Sequence, residues 1–253
     1  MVAKERVDDT GFGAIKVIQQ PGLGYGVDAI LLAAFAAGET GARPIAEGSY
    51  VADLGTGSGI VAMVVAYKIP HTSVCGIELR ADSCDRARRA IELSELEDRV
   101  SVDNIDVADI ANGQTKHDGM YDAVVSNPPY FKKNAAIPSE TSGKYIARHE
   151  TSAELKDFLK AAARMLKDGG SLYMVHRPDR MVDILSEMRL AGLEPKELQL
   201  VVPRTGEAAN IMLVHGIKGG GAELKMLPEI PVHEEGQRYT NIINRIYERR
   251  INL

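Results

Sequence analysis

From Tyr50 onward, short β-branched runs alternate with helical segments. Such a chain buries both kinds of element by laying helices on a parallel sheet. The runs read as strands are Val51 to Asp53, Ser73 to Ile77, Val100 to Asp103, Ala123 to Val125, Ser171 to Val175, Leu198 to Val202 and Asn210 to Ile217. Helices are expected at about Gly59 to Lys68, Asp82 to Ser94, Ser152 to Lys167 and Pro178 to Ala191. Thr151 with Glu154 has the spacing of a capping box, Gly169-Gly170 is expected to stop the helix that follows it, and Gly192 to stop the next. Only Pro203-Arg204-Thr205-Gly206-Glu207 joins the last two strands, which predicts an antiparallel hairpin. The fold class expected is α/β, a doubly wound seven-stranded sheet whose last strand is reversed.

One domain is expected. Residues 1–49 form an extension around one apolar helix, Ala29 to Phe35, with Asp28 as its N-cap. Residues 50–218 form the core, and residues 219–253 a tail that starts at the joint Gly219-Gly220-Gly221 and could dock back through Arg238-Tyr239-Thr240 and Ile242-Ile243. With 253 residues and 45% hydrophobic content, the chain can bury a substantial core. Its longest apolar stretch, Ala29 to Ala37, is far short of the ~20 residues of a spanning helix, and Met1 to Gly13 lacks an apolar leader segment. A soluble, cytoplasmic protein with no membrane partner is expected. Cys75 and Cys84 suit a reducing compartment and offer no metal-ligand spacing.

A net charge of −5 argues against broad nucleic-acid affinity but leaves room for local contacts. Arg86, Arg88 and Arg89, Arg148-His149 and Arg245 through Arg250 read as solvated clusters. Lys132-Lys133 differs, because it follows the most informative motif in the chain.

The loop Asp53-Leu54-Gly55-Thr56-Gly57-Ser58-Gly59 lies between a strand and a helix. Its third glycine comes one position too early for the dinucleotide fingerprint, and it lacks the Gly-Lys-Ser/Thr of a phosphate-gripping loop. A carboxylate at Asp53 would repel phosphate and welcome the ammonium of a methionine moiety. Glu78, 25 residues further on, ends the second strand, where an acid can accept from both hydroxyls of a ribose. Asp106 follows the third and could accept from an adenine amine, with Asp103 and Asp109 as rivals. Acids at three successive strand ends around a glycine turn match a cationic nucleoside without phosphates, S-adenosylmethionine.

Asn127-Pro128-Pro129-Tyr130 follows the fourth strand. The prolines fix φ near −65° and bias Asn127 toward an extended conformation, so the turn is rigid before a substrate arrives. If the Asn127 side-chain oxygen and the Pro128 carbonyl each accept one hydrogen of a planar amine, its lone pair is freed from conjugation and aimed at a methyl sulfonium. Tyr130 would stack on the ring, and orientation of this kind lowers a barrier without a strong base.

The motif and its glycine loop resemble the Rossmann-like amino-methyltransferases of adenine, guanine N2 and the glutamine amide. Gly26-Val27-Asp28-Ala29-Ile30-Leu31-Leu32-Ala33-Ala34-Phe35, Tyr130-Phe131, Ala147-Arg148-His149-Glu150 and Tyr239-Thr240 are similar to the bacterial tRNA1(Val) adenine-N6 methyltransferases, over about Lys16 to Thr240. Val27 stands where that family usually carries threonine. The resemblance implies that Gly55, Gly57, Gly59, Glu78 and Asp106 line the cofactor pocket and that Asn127, Pro128 and Tyr130 grip the base. It also implies a tRNA anticodon loop as partner, with the adenine just 3′ of the anticodon as target. Lys132, Arg148 and His149 are expected to meet the RNA.

Glutamine N5 methylation of a protein, guanine N2 methylation of rRNA, and a non-catalytic RNA-binding module are the alternatives. The about 45 residues before the core are too few for the helical domain of release-factor enzymes, and phenylalanine is commoner than Tyr130 among the guanine enzymes. Intact Asp53, Glu78 and Asn127 argue against a module that has lost its chemistry.

Overall fold

A computed structural model describes residues 5–20, 24–129 and 153–248 of the chain. The parallel core is β3 (Tyr50–Leu54), β4 (Ser73–Glu78), β5 (Val100–Asn104), β6 (Tyr121–Ser126) and β7 (Leu166–His176). The pair β8 (Leu193–Val202) and β9 (Ile211–Lys218) completes it, with β9 antiparallel to both β7 and β8. These are the seven strands read from the sequence. Two two-residue strands, β10 (Lys225–Met226) and β11 (Ile230–Pro231), pair with β8 and bring the sheet to nine. Its order is β10-β8-β9-β7-β6-β3-β4-β5, with β11 off this path on β8.

Alternation along each strand sends side chains to two cores. In β3, Val51 joins one cluster while Ala52 and Leu54 join the other. The first core holds α1 (Val27–Ala36), α2 (Ile60–Lys68) and α3 (Ala81–Leu93). The second holds α4 (Val107–Ala111), α5 (Leu155–Met165) and α6 (Met181–Leu190). With helices on both faces, the sheet is doubly wound. All eight residues from Ala29 to Ala36 are buried, so α1 is a core helix and not an amphipathic cover. Each fully buried Leu, Ile or Phe in it contributes roughly 1.5–3 kcal/mol.

The described segments before and after the core dock on this frame. An N-terminal hairpin, β1 (Arg6–Asp9) and β2 (Lys16–Gln19), lies on α3, where Lys16 N donates to Ser94 Oγ at 3.0 Å. The last described helix is α7 (Asn241–Ile246), N-capped by Thr240, with Ile243 and Ile246 fully buried. Lys68 fastens the parts together: its ammonium donates to Glu39 Oε1 at 2.8 Å and to Ile246 O at 3.2 Å, and lies 5.1 Å from the centre of the Phe12 ring. Among the described residues, no helix is long and apolar enough to cross a membrane.

Several local expectations are corrected. The N-cap of α1 is Gly26, and Asp28 sits in the first turn, where its charge complements the helix dipole. The capping box of α5 is made by Glu154 and Asp157 instead, Thr151 lying outside the described residues. That helix stops at Met165, because Leu166 turns extended to pair with Tyr121. Gly169-Gly170 then falls inside β7, beside an irregularity in its pairing with β6, where a Cβ on Gly170 would stand 2.9 Å from Lys167 O and 3.1 Å from Asp122 O. Gly192 does follow the end of α6, at φ +78°. Arg88 and Arg89 are not idle solvated charges: Arg88 donates to Val102 O, and Arg89 pairs with Glu5 and Asp85.

Candidate active site

A cavity of ≈ 220 Å³ opens at the carboxyl ends of β6, β3, β4 and β5. It is lined in that order by Asn127 and Pro129, by Gly55, Gly57 and Ser58, by Ile77 and Glu78, and by Asp106 and Val107. Four neighbouring strand ends span about 14 Å at ~4.8 Å per strand. Ligands of open α/β sheets lie in this place.

The glycine loop is closed onto β4 by backbone bonds, Gly55 N and Thr56 N both donating to Ile77 O, at 2.9 and 3.0 Å. Its bends put Gly55 at φ +75° and Gly59 at φ +79°, where a Cβ would be strained, and a Cβ on Gly55 would also meet the Phe158 ring at 3.3 Å. Gly59, as N-cap of α2, has no side chain to satisfy the first turn. Asp53 does so from below.

Strand alternation places Asp53 on the face of α2, where its Oδ2 accepts from Thr56 Oγ1 at 2.6 Å and from Ala62 N, in the first turn of that helix, at 3.2 Å. Asp53 is 1% exposed and does not line the cavity. The expectation that it faces the ligand is therefore corrected: it is the fastener of the glycine loop. Burial, only partly offset by the two hydrogen bonds, raises its carboxyl to about 7.

Glu78 does line the cavity, with Oε2 accepting from Gly57 N at 3.0 Å and Oε1 from Arg80 N at 2.9 Å. Burial lifts its pKa and those bonds hold it down. Each carboxylate oxygen retains a lone pair for a further donor. Asp106 caps α4 by accepting from Ala108 N at 2.9 Å and lines the same cavity, so the capping and ligand-facing roles coincide in one residue. Its rivals stand elsewhere: Asp103 faces His117 at 3.4 Å, and neither it nor Asp109 reaches this cavity.

Asn127 is held in place from β6, where Ser126 Oγ, fully buried, donates to Leu54 O at 3.0 Å and joins the ends of β6 and β3. Asn127 and Pro129 are half-buried at the rim and Pro128 is buried beneath them. Tyr130, Lys132, Arg148 and His149 lie outside the described residues.

The sequence reading missed part of the wall. Ile18 and Gln20 from the N-terminal hairpin, Ser83 and Arg86 from α3 and Phe158 from α5 all line the cavity. Arg86, read as solvated, is 5% exposed. The signal was present: positions 83, 86, 87, 90 and 91 are the inward stripe of α3, so an arginine at 86 points inward. Cys75 and Cys84 are buried free thiols, and among the described residues no cluster of His, Cys, Asp or Glu could hold a metal ion.

The cavity fits a nucleoside with a cationic side arm better than a dinucleotide. It is lined from four neighbouring strand ends, it carries acids at two of them, and Gly57 N of its loop is taken by the Glu78 carboxylate. The doubly wound sheet with a reversed β9, together with this cavity and the Asn-Pro-Pro turn at its rim, defines a Rossmann-like methyltransferase. A family model described as "Methyltransferase small domain" matches residues 30–189. A tRNA1(Val) (adenine(37)-N6)-methyltransferase of Porphyromonas gingivalis is 31% identical, over 68% of this chain and 71% of that protein. One of the same name from Aeromonas salmonicida is 32% identical over 85% of each chain. Among solved structures, an Agrobacterium tumefaciens protein described as a predicted O-methyltransferase superposes with a TM-score of 0.69 at 26% identity, over 87% of this chain and 95% of that one. The chain belongs to the small-domain methyltransferases, in the tRNA1(Val) (adenine(37)-N6)-methyltransferase family. It is an S-adenosylmethionine-dependent enzyme.

Proposed function

We propose that the protein methylates the N6 amine of an adenine in tRNA, in the anticodon loop, in the cytoplasm. One observation carries the reading: Asn127 and Pro129 line the same cavity as Glu78 and Asp106. A base gripped at the turn and a donor held at the strand ends would thus share one space. The names of the relatives favour adenine over guanine N2 or a glutamine amide, and RNA over protein.

In this reading, Glu78 accepts from the ribose hydroxyls and Asp106 from the adenine amine of the donor. S-Adenosylmethionine, when bound, supplies an electrophilic methyl on a sulfonium. The Asn127 side-chain oxygen and the Pro128 carbonyl accept the hydrogens of the target amine and aim its lone pair. Tyr130 stacks on the base, which must leave its own stack to arrive there. The nitrogen would take that methyl as its bond to sulfur breaks, leaving a neutral thioether, and would then release one proton. Lys132, Arg148 and His149 steer the RNA backbone.

Mass mapping of unmodified tRNA treated with the purified protein and S-adenosylmethionine tests this. One N6-methyladenosine beside the anticodon is expected. Methyl groups found on guanine N2 or on a protein glutamine would contradict it.

A further inference from the structure

Three observations meet at Arg86. Arg86 lines the cavity while 5% exposed, its guanidinium held by Asp82 Oδ2 at 3.0 Å and Ser83 Oγ at 2.9 Å. Asp82 also accepts from Arg80, at 2.9 Å, so Arg86 shares that carboxylate with a second guanidinium. Of the five N–H donors of Arg86, two are engaged among the described residues. A buried guanidinium with spare donors is built for a planar anion.

Its place says which anion. A Cβ on Gly59 would stand 3.4 Å from Ala87 Cβ, so the turn of α3 that carries Arg86 packs against the glycine loop. The hairpin reaches the same corner. From the contact of Lys16 with Ser94, four strand residues cover about 13 Å and eight helical residues about 12 Å, which sets Gln20 beside Arg86, and both line the cavity. A donor with its adenine toward Asp106 and its ribose at Glu78 puts its amino-acid arm here.

We propose that Arg86, backed by Gln20, receives the carboxylate of the methionine arm of the methyl donor. The inference rests on S-adenosylmethionine lying along this cavity, and it assigns the end of the molecule that Glu78 and Asp106 leave unaccounted for.

Calorimetric titration of the full chain and of Arg86→Gln and Arg86→Lys with S-adenosylmethionine, its decarboxylated analogue and methylthioadenosine tests it. The wild type should prefer S-adenosylmethionine over the decarboxylated compound. Arg86→Gln should bind S-adenosylmethionine roughly 10- to 100-fold more weakly, with Arg86→Lys in between. Both variants should bind the two ligands without a carboxylate within about twofold of the wild type, the precision expected where no contact is lost. Equal weakening toward all three would make Arg86 a support of α3 and overturn the proposal, as would a wild type that ignores the carboxylate. A wild type that binds none of the three would overturn the donor assignment itself.

Discussion

Gly57 donates its backbone N–H to Glu78 Oε2 at 3.0 Å, so the glycine loop after β3 and the acid that ends β4 form one unit. The bond fixes the carboxylate before a ligand arrives. Glu78→Gln keeps an acceptor for Gly57 but loses the charge, and should weaken S-adenosylmethionine by roughly 10-fold, ~1.4 kcal/mol. Glu78→Ala also releases the loop and should weaken it about 100-fold. Titration calorimetry measures both, and unchanged affinity in the alanine variant would remove Glu78 from the ribose.

Asp53 makes stability depend on pH. Burial raises its carboxyl from 3.8 to about 7 in the folded protein, so between those values the folded state keeps a proton that the unfolded chain has released. Its contribution is full below 3.8 and falls as the pH rises to about 7. Asp53→Asn cannot titrate and should flatten the decline. Glu78, also raised by burial, adds the same sign in both proteins and leaves a residual slope. Thermal melts from acid to neutral pH check this, and parallel curves for the two proteins would contradict it.

Gly76 has an ordinary strand conformation, but a Cβ there would stand 2.7 Å from Thr56 Cγ2 and 2.9 Å from Thr56 Oγ1, the hydroxyl that donates to Asp53. Gly76→Ala should therefore cost about 1–3 kcal/mol and weaken donor binding by disturbing the loop. Adding Thr56→Ser removes the clashing methyl, keeps the hydroxyl, and should recover part of the loss. If the double variant is no better than the single, measured by denaturant unfolding, the Thr56 methyl is not the obstacle.

The sheet was legible because β3 to β9 announce themselves by β-branched runs and by glycines at their turns. Short elements were not. The five residues of α4 and the two-residue strands β10 and β11 carry too little periodicity to be read, and β1 and β2 are ordered by α3 beneath them. Glu78 and Asp106 could be placed on the cavity from their positions at strand ends. Asp53 shares such a position yet turns away, because strand alternation puts it under α2, whose glycine cap leaves N–H groups to satisfy. Arg86 was misread from composition, although helical period set it inward. Gln20 reaches the site through the hairpin, a contact between distant parts of the chain that local pattern does not encode.

In the proposed reaction, Asn127 acts on the acceptor amine and not on the donor. Asn127→Ala, followed by single-turnover methylation of tRNA and by S-adenosylmethionine titration on the same preparation, tests it most directly. Methyl transfer should fall by at least about 100-fold, as expected for loss of a positioning acceptor, while donor affinity stays within a few fold. Equal losses in both, or turnover close to that of the wild type, would contradict it.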